Sequence, residues 1–208
     1  MSKKNENAEK NIKSSNPDKK SIKYGILYQN SDLININDLF NIYLDKEKPN
    51  IIKNTNKGYE FSLEKYENLY FHFEIIPEEE LKNIYNIYSF FNFFLIFVDI
   101  QSTACKKILE SYINSLIDCS QDNTKKSYIF GVYKDGNSII NKDEQITTIL
   151  NCKGIDYEYS EININLNEQF PKGVDYLIED SQEIMEEIEF EEIHNKFNRD
   201  KGKSCIII

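Results

Sequence analysis

The chain closes on KGKSCIII, where Cys205 is followed by Ile206, Ile207 and Ile208. A thiolate at that distance from a carboxyl end, with aliphatic residues at the next two positions, is what prenyltransferases alkylate, because the two side chains fill the enzyme's pocket. The bulk of Ile208 favours a geranylgeranyl over a farnesyl group. One lipid chain holds a protein only marginally and reversibly, so a second membrane signal is needed. Arg199, Lys201 and Lys203 offer a weak one, which Asp200 interrupts, and the upstream stretch EDSQEIMEEIEFEE would repel an anionic leaflet. The expectation is a protein on the cytoplasmic face of a cellular membrane that cycles with the cytosol, served by a prenyltransferase and a prenyl-binding carrier. The remaining cysteines, 105, 119 and 152, lack metal-ligand spacing. With no signal-peptide pattern at the start, they read as reduced thiols. His72 and His194 are the only histidines and suggest no shared catalytic or metal site.

The elements that must carry this tail are legible in hydrophobic pattern. With 208 residues, 40% of them hydrophobic, and with 14 Tyr and 13 Phe, the chain can bury one substantial core. A net charge of −10 excludes a nucleic-acid binder, which needs clustered Lys and Arg for phosphate contacts. The longest apolar run, FFNFFLIFV, is too short to span a bilayer. Residues 1–20 carry almost no apolar side chains and read as a disordered extension, and Ser2 excludes N-myristoylation.

From residue 21 onward strands alternate with helices. IKYGILY reads as a strand and LININDLFNIYL as a helix, followed by a polar loop, KEKPNIIKNTNKG. GYEFSL and ENLYFHFEII read as an antiparallel hairpin; in its second arm Leu69, Phe71, Phe73 and Ile75 alternate with Tyr70, His72 and Glu74. Pro77 with Glu78, Glu79 and Glu80 marks the start of a helix running through LKNIYNIYSF. FFLIFVDI is a central parallel strand. STACKKILESYINSLIDC reads as a helix, SYIFGVYKDGN as a strand and turn, NKDEQITTILNCKG as a helix, IDYEYSEI as a strand, and residues 173–197 as a final helix. These predict an α/β fold, a mostly parallel six-stranded sheet with helices on both faces. The domain spans 21–196, with a flexible prenylated tail at 197–208.

That order, with the hairpin second and a prenylation box at the end, resembles the Ras superfamily of small GTPases, Ras-like or Rab-like, over about residues 21 to 208. FHFEIIPEEELKNIYNIYSFFNFFLIFVDIQST is similar to the family's third strand, switch II helix and fourth strand, with Asp99 at the final Asp. KGIDYEYSEININ resembles the sixth strand and the E-T-S-A-K loop, with Glu158 and Ser160 at matching positions, and FGVYKDGN stands where the family has G-N-K-x-D. The resemblance implies a P-loop NTPase fold binding GTP or GDP with magnesium. It assigns nucleotide contacts to Asp135, which would accept from a guanine edge, to Ser160, and to Thr55 as the switch I threonine.

The chemistry departs from that pattern. A phosphate loop needs glycines for close backbone approach, a lysine, and a hydroxyl on magnesium. Here Leu27 and Asp32 replace the glycines, Leu33 the lysine and Ile34 the magnesium ligand. Glu74 stands near the magnesium-linked Asp, Pro77 replaces a glycine whose N–H would meet the γ-phosphate, and Glu78 replaces the glutamine that orients water. In the base-reading loop Gly131 matches but Val132 and Tyr133 replace Asn and Lys; in the last loop Glu161 and Ile162 replace Ala and Lys. No catalytic residue and no metal ligand are assigned. The expected function is a lipid-anchored pseudo-GTPase acting as a membrane-attached adaptor for protein effectors in vesicle trafficking or signalling. The alternative is a divergent but active GTP hydrolase of the Ras/Rab type.

Overall fold

The computed structural model describes residues 20–55, 57–66, 69–120, 125–134, 142–153, 155–166 and 169–203. The extension 1–19, Asp135 and the segment 204–208 with Cys205 lie outside the described residues. Seven strands, β1 (Lys20–Tyr28), β2 (Asn50–Thr55), β3 (Gly58–Ser62), β4 (Leu69–Ile75), β5 (Phe93–Asp99), β6 (Ser127–Tyr133) and β7 (Tyr157–Asn163), form one sheet in the order β2-β3-β4-β1-β5-β6-β7. The pairs β2/β3 and β3/β4 are antiparallel, and every other neighbouring pair is parallel. The fold is therefore α/β with a mixed, mostly parallel sheet.

Among the described residues the sheet has seven strands rather than the expected six. The additional one, β2, occupies the stretch read as a polar loop. It is an edge strand with one neighbour, its ladder shifts register between Ile51 and Lys53, and Ile51 is half exposed. An edge strand with little to bury shows little hydrophobic alternation.

Helices α1 (Ile36–Glu47) and α5 (Gln169–Lys203) cover one face of the sheet; α2 (Ile84–Tyr88), α3 (Cys105–Cys119) and α4 (Lys142–Lys153) cover the other. The first face is aromatic. Tyr24 stacks on Phe73 at 4.4 Å, Phe40 stacks on Tyr59 at 4.5 Å, and Phe170 from α5 meets Phe40 edge-on at 5.5 Å. Phe71 and Phe73 point into this layer while His72 and Glu74 face the opposite side, as their alternation predicts. On the second face Leu109, Ile113 and Leu116 of α3 pack on Phe94, Ile96 and Val98.

Two helices differ from expectation. The segment after Pro77 is a 3-10 turn, Glu78–Asn83, before the short α2, not one continuous helix. Glu78, Glu79 and Glu80 present nothing to bury, and the buried Ile84 and Tyr88, spaced by one turn, with the partly buried Ile87, hold α2 to the sheet. Conversely, α5 is 35 residues long and runs to Lys203, into the segment expected to be a flexible tail from residue 197. Pro171 falls in its first turn, where a missing N–H costs nothing, and no glycine or proline stands between Gly173 and Gly202 to end it.

Candidate functional site

In an open parallel sheet ligands bind beyond the carboxyl ends of the strands, so the loops after β1, β5, β6 and β7 are the candidate site. A phosphate loop there must leave backbone N–H groups pointing outward. In the loop after β1 the opposite occurs. The Gln29 N–H continues the ladder by donating to the Phe97 carbonyl at 2.9 Å, and its buried side-chain oxygen accepts from the Asp99 N–H at 3.0 Å. The Leu33 N–H donates to the Ser31 hydroxyl at 3.3 Å and the Ile34 N–H to the Ser31 carbonyl at 3.2 Å. Asn35 caps α1 by accepting from the Asp38 N–H at 3.3 Å.

The side chains at the expected phosphate positions are structural. Leu27 is buried with the α3 layer, Ile34 is buried with the α1 and α5 layer, and Leu33 packs against the latter. These residues hold the loop down by burying apolar surface at both of its ends, while Asn30 and Asp32 between them stay exposed.

The neighbouring strand ends are fastened in the same manner. Asp99 accepts from the N–H groups of Gln101 and Ser102 at 2.9 and 3.2 Å. The Gln101 amide clamps the β6 exit, donating to the Lys134 carbonyl at 2.7 Å and accepting from its N–H at 3.1 Å. Beyond β7, the buried Asn163 accepts from the Asn165 N–H at 3.0 Å while its own N–H donates to the Gln169 side chain at 2.7 Å. From α3, the Tyr112 hydroxyl donates to the Tyr28 carbonyl at 2.7 Å. Burial, with the Glu78 carboxylate close by, pushes the Tyr112 phenol up to about 12. Three glutamines, one asparagine and one tyrosine therefore consume backbone groups where a ligand would need them. The resemblance did not identify them. The sequence signal is a polar residue directly after an apolar run, as in IKYGILYQ and FFLIFVDIQ.

The residues assigned to nucleotide contact do not converge. Thr55 ends β2, where its hydroxyl donates to the Gly58 carbonyl at 3.4 Å and accepts from the Lys57 N–H at 3.2 Å within the hairpin turn. Ser160 lies inside β7, opposite Phe130, and not in the loop that follows. It lines a cleft of ≈ 350 Å³ with Phe130, Gln169, Lys172 and Tyr176. Thr55 and Ser160 occupy the two outermost strands. Six inter-strand steps separate them, roughly 29 Å along the sheet at about 4.8 Å per step. Asp135 and Cys205 lie outside the described residues. Gly131, which matched the base-reading motif, has a packing role. A Cβ there would stand 2.6 Å from the Tyr159 hydroxyl and 2.8 Å from Ile100.

Glu74 does not face the strand ends. With Glu60 it flanks His72, at 3.4 and 3.7 Å, on a sheet face left uncovered beside β1. Together with Ser21, Lys23 and Phe90 these residues line a cleft of ≈ 340 Å³. Among the described residues no group of three or more His, Cys, Asp or Glu could hold a metal ion, and no helix is long and apolar enough to cross a membrane. No protein-family model and no curated protein matches the chain.

Proposed function

We propose that this chain is a lipid-anchored adaptor with a small-GTPase-like body that does not run a nucleotide switch. The α/β fold, with a mostly parallel sheet, an antiparallel hairpin beside β1 and helices on both faces, supports this reading. The observation that carries the reading is the loop after β1, whose Gln29, Leu33 and Ile34 N–H groups bond internally and whose Leu27, Leu33 and Ile34 pack inward. A nucleotide switch works only where the γ-phosphate and magnesium contact two states differently. That loop has no lysine, its Ser31 hydroxyl already accepts from the Leu33 N–H, and Leu33 and Ile34 stand where the lysine and the magnesium ligand would be. Adaptor contacts then fall on the outer surface. The best supported is the cleft around Glu60, His72 and Glu74, lined also by the exposed Phe90. Its occupants are protein effectors in trafficking or signalling, while geranylgeranylated Cys205 supplies the membrane and engages the carrier.

The test is binding of fluorescent GTP and GDP to the purified full-length chain, with and without magnesium, together with a search for nucleotide carried through purification. The expected result is no retained nucleotide and no binding at high micromolar concentration. Tight, magnesium-dependent binding would overturn the reading in favour of an active GTP hydrolase. The anchor is tested separately, by the intact mass of the chain after incubation with a prenyltransferase and geranylgeranyl diphosphate; an unmodified mass with a modified control substrate removes it.

A further inference from the structure

We propose that the outer edge of β7 takes an extended, basic segment of a partner protein as an added antiparallel strand, with an apolar side chain of that segment seated in the cleft between β7 and α5. The inference goes beyond the adaptor reading and rests neither on the lipid nor on the loop after β1. It starts from the ladder. β7 closes the sheet, and among the described residues no strand pairs with its outer side. The Ser127 N–H donates to the Asp156 carbonyl at 3.0 Å and the Ile164 N–H to the Tyr133 carbonyl at 2.9 Å. Asp156 and Ile164 therefore turn their backbone groups toward β6, as do the even-numbered residues between them, and Tyr157 and Glu161 turn theirs away from it. At Asn163 the outward N–H donates to the Gln169 side chain at 2.7 Å, so the open edge ends there.

The cleft of ≈ 350 Å³ already described lies along this edge, with Phe130, Ser160, Ile162, Lys172, Gly173 and Tyr176 in its lining. Gly173 adds no side chain to it, and a Cβ at that position would stand 3.1 Å from the Phe130 ring. Backbone groups without a strand partner and a side-chain cleft thus stand side by side. These are the two parts from which strand addition draws affinity and specificity.

The alternation of β7 fixes the pattern of the incoming segment. Ile162 belongs to the layer under α5, whereas Tyr157 and Tyr159 pack with the opposite layer. Side chains of an added strand that lie across from Ser160 and Ile162 therefore face the cleft, and those across from Tyr157 and Glu161 face the other side. The first set is apolar, to match Phe130, Ile162 and Tyr176, and Lys172 disfavours a second cation there. The second set is basic. β7 and the residue before it carry Asp156, Glu158 and Glu161 and no Lys or Arg. Lys126 pairs with Glu158, but among the described residues no cation pairs with the exposed Glu161, which accepts from the Tyr159 hydroxyl at 3.1 Å. A second copy of the chain does not fit, because antiparallel pairing of β7 with itself would bring these carboxylates together. In an antiparallel pair, residues directly opposite exchange both of their bonds. The basic residues of the segment, opposite Tyr157 and Glu161, therefore carry the N–H groups that bond to β7.

The experiment uses the full-length chain and a fluorescently labelled peptide, Lys-Val-Lys-Val-Lys-Val-Lys, at physiological salt. Two further peptides carry N-methyl groups, one on its lysine and one on its valine backbone nitrogens, with charge and side chains unchanged. The expected result is binding of the parent peptide, with amide exchange slowed at Tyr157 and Glu161 and unchanged in β2. Methylation at the lysines weakens binding roughly tenfold or more, since it removes the N–H groups that face β7, and methylation at the valines is tolerated. Replacing the three valines with serine, or Glu161→Lys in the chain, weakens it by a similar factor. No binding by the parent peptide overturns the proposal, as does any other ranking of the two methylated peptides. Equal binding by both means that the peptide is held only by the net charge of −10. Protection appearing in β2 instead of β7 overturns it as well. A chain that binds GTP and still shows the expected ranking keeps this proposal while losing the pseudo-GTPase reading.

Discussion

The carboxyl end of the sheet and the β1 corner of its amino end use polar side chains in opposite ways. At the carboxyl end of the strands Gln29 and Asn163 are buried, and with Gln101, Gln169 and Tyr112 they bond to backbone groups of neighbouring elements. At the amino end, Lys20 and Glu189 meet on the surface, with 63% and 39% of their side chains exposed. A buried polar group is held because leaving its partner unsatisfied costs its full desolvation, whereas an exposed ion pair exchanges readily with water. The amino end is fastened where β6 enters, with Lys126 and Tyr128 on the Asp180 carboxylate beside the buried Ser181, so the contrast lies at its β1 corner.

This contrast can be broken by mutation, and the effects should descend in order. Phe170→Ala should be largest, removing the ring that joins Phe40, Phe97 and Phe130 at the start of α5. A loss of about 3–5 kcal/mol in urea unfolding is expected. Gln29→Ala strands the buried Asp99 N–H and should cost about 1–3 kcal/mol in the same assay. If it costs no more than the surface substitutions, the strand ends are not fastened by these bonds and the loop after β1 is open to a ligand.

Tyr112→Phe tests the same end through pH. Removing the hydroxyl should cost about 0.5–1.5 kcal/mol at neutral pH. In the parent the folded phenol titrates near 12, above its ordinary value of about 10. As pH rises from about 10 the unfolded chain loses this proton first, so the stability it contributes is intact below about 10 and falls away up to about 12. A parent curve that declines over that window more steeply than the Tyr112→Phe curve is the expected outcome. Glu189→Ala should be smallest, within about 0.5 kcal/mol, because the pair it breaks is solvated. A larger loss there would mean that the β1 corner is as firmly fastened as the carboxyl end.

The alternation of strands and helices was legible because it is written in side-chain periodicity. FFLIFVDI could only be a strand buried on both faces, and all seven residues of β5 are buried. The stripe of Cys105, Leu109, Tyr112, Ile113 and Leu116 on α3 was legible for the same reason. β2 was not, since an edge strand takes its conformation from the ladder it joins and not from what it buries. The candidate site was half legible. The absence of glycine, lysine and hydroxyl at the phosphate positions stands in the sequence itself, but what replaces their function does not. Gln29 and Gln101 are ordinary polar residues until the strands that flank them are adjacent.

What the sequence determined by itself was local: which segments are strands or helices, which face each one buries, where charge accumulates, and which cysteine stands in a lipidation box. These follow from spacing along one chain and need no partner. Tertiary structure alone decided what depends on distance between remote residues. Thr55 and Ser160 stand on opposite outer strands, Leu27 and Ile34 are drawn into separate core layers, and Lys20 arrives beside Glu189, 169 positions away. The physical reason is that hydrogen bonds and ion pairs form only within a few ångströms, and contacts so remote in sequence exist only after the sheet and its two helical layers have closed.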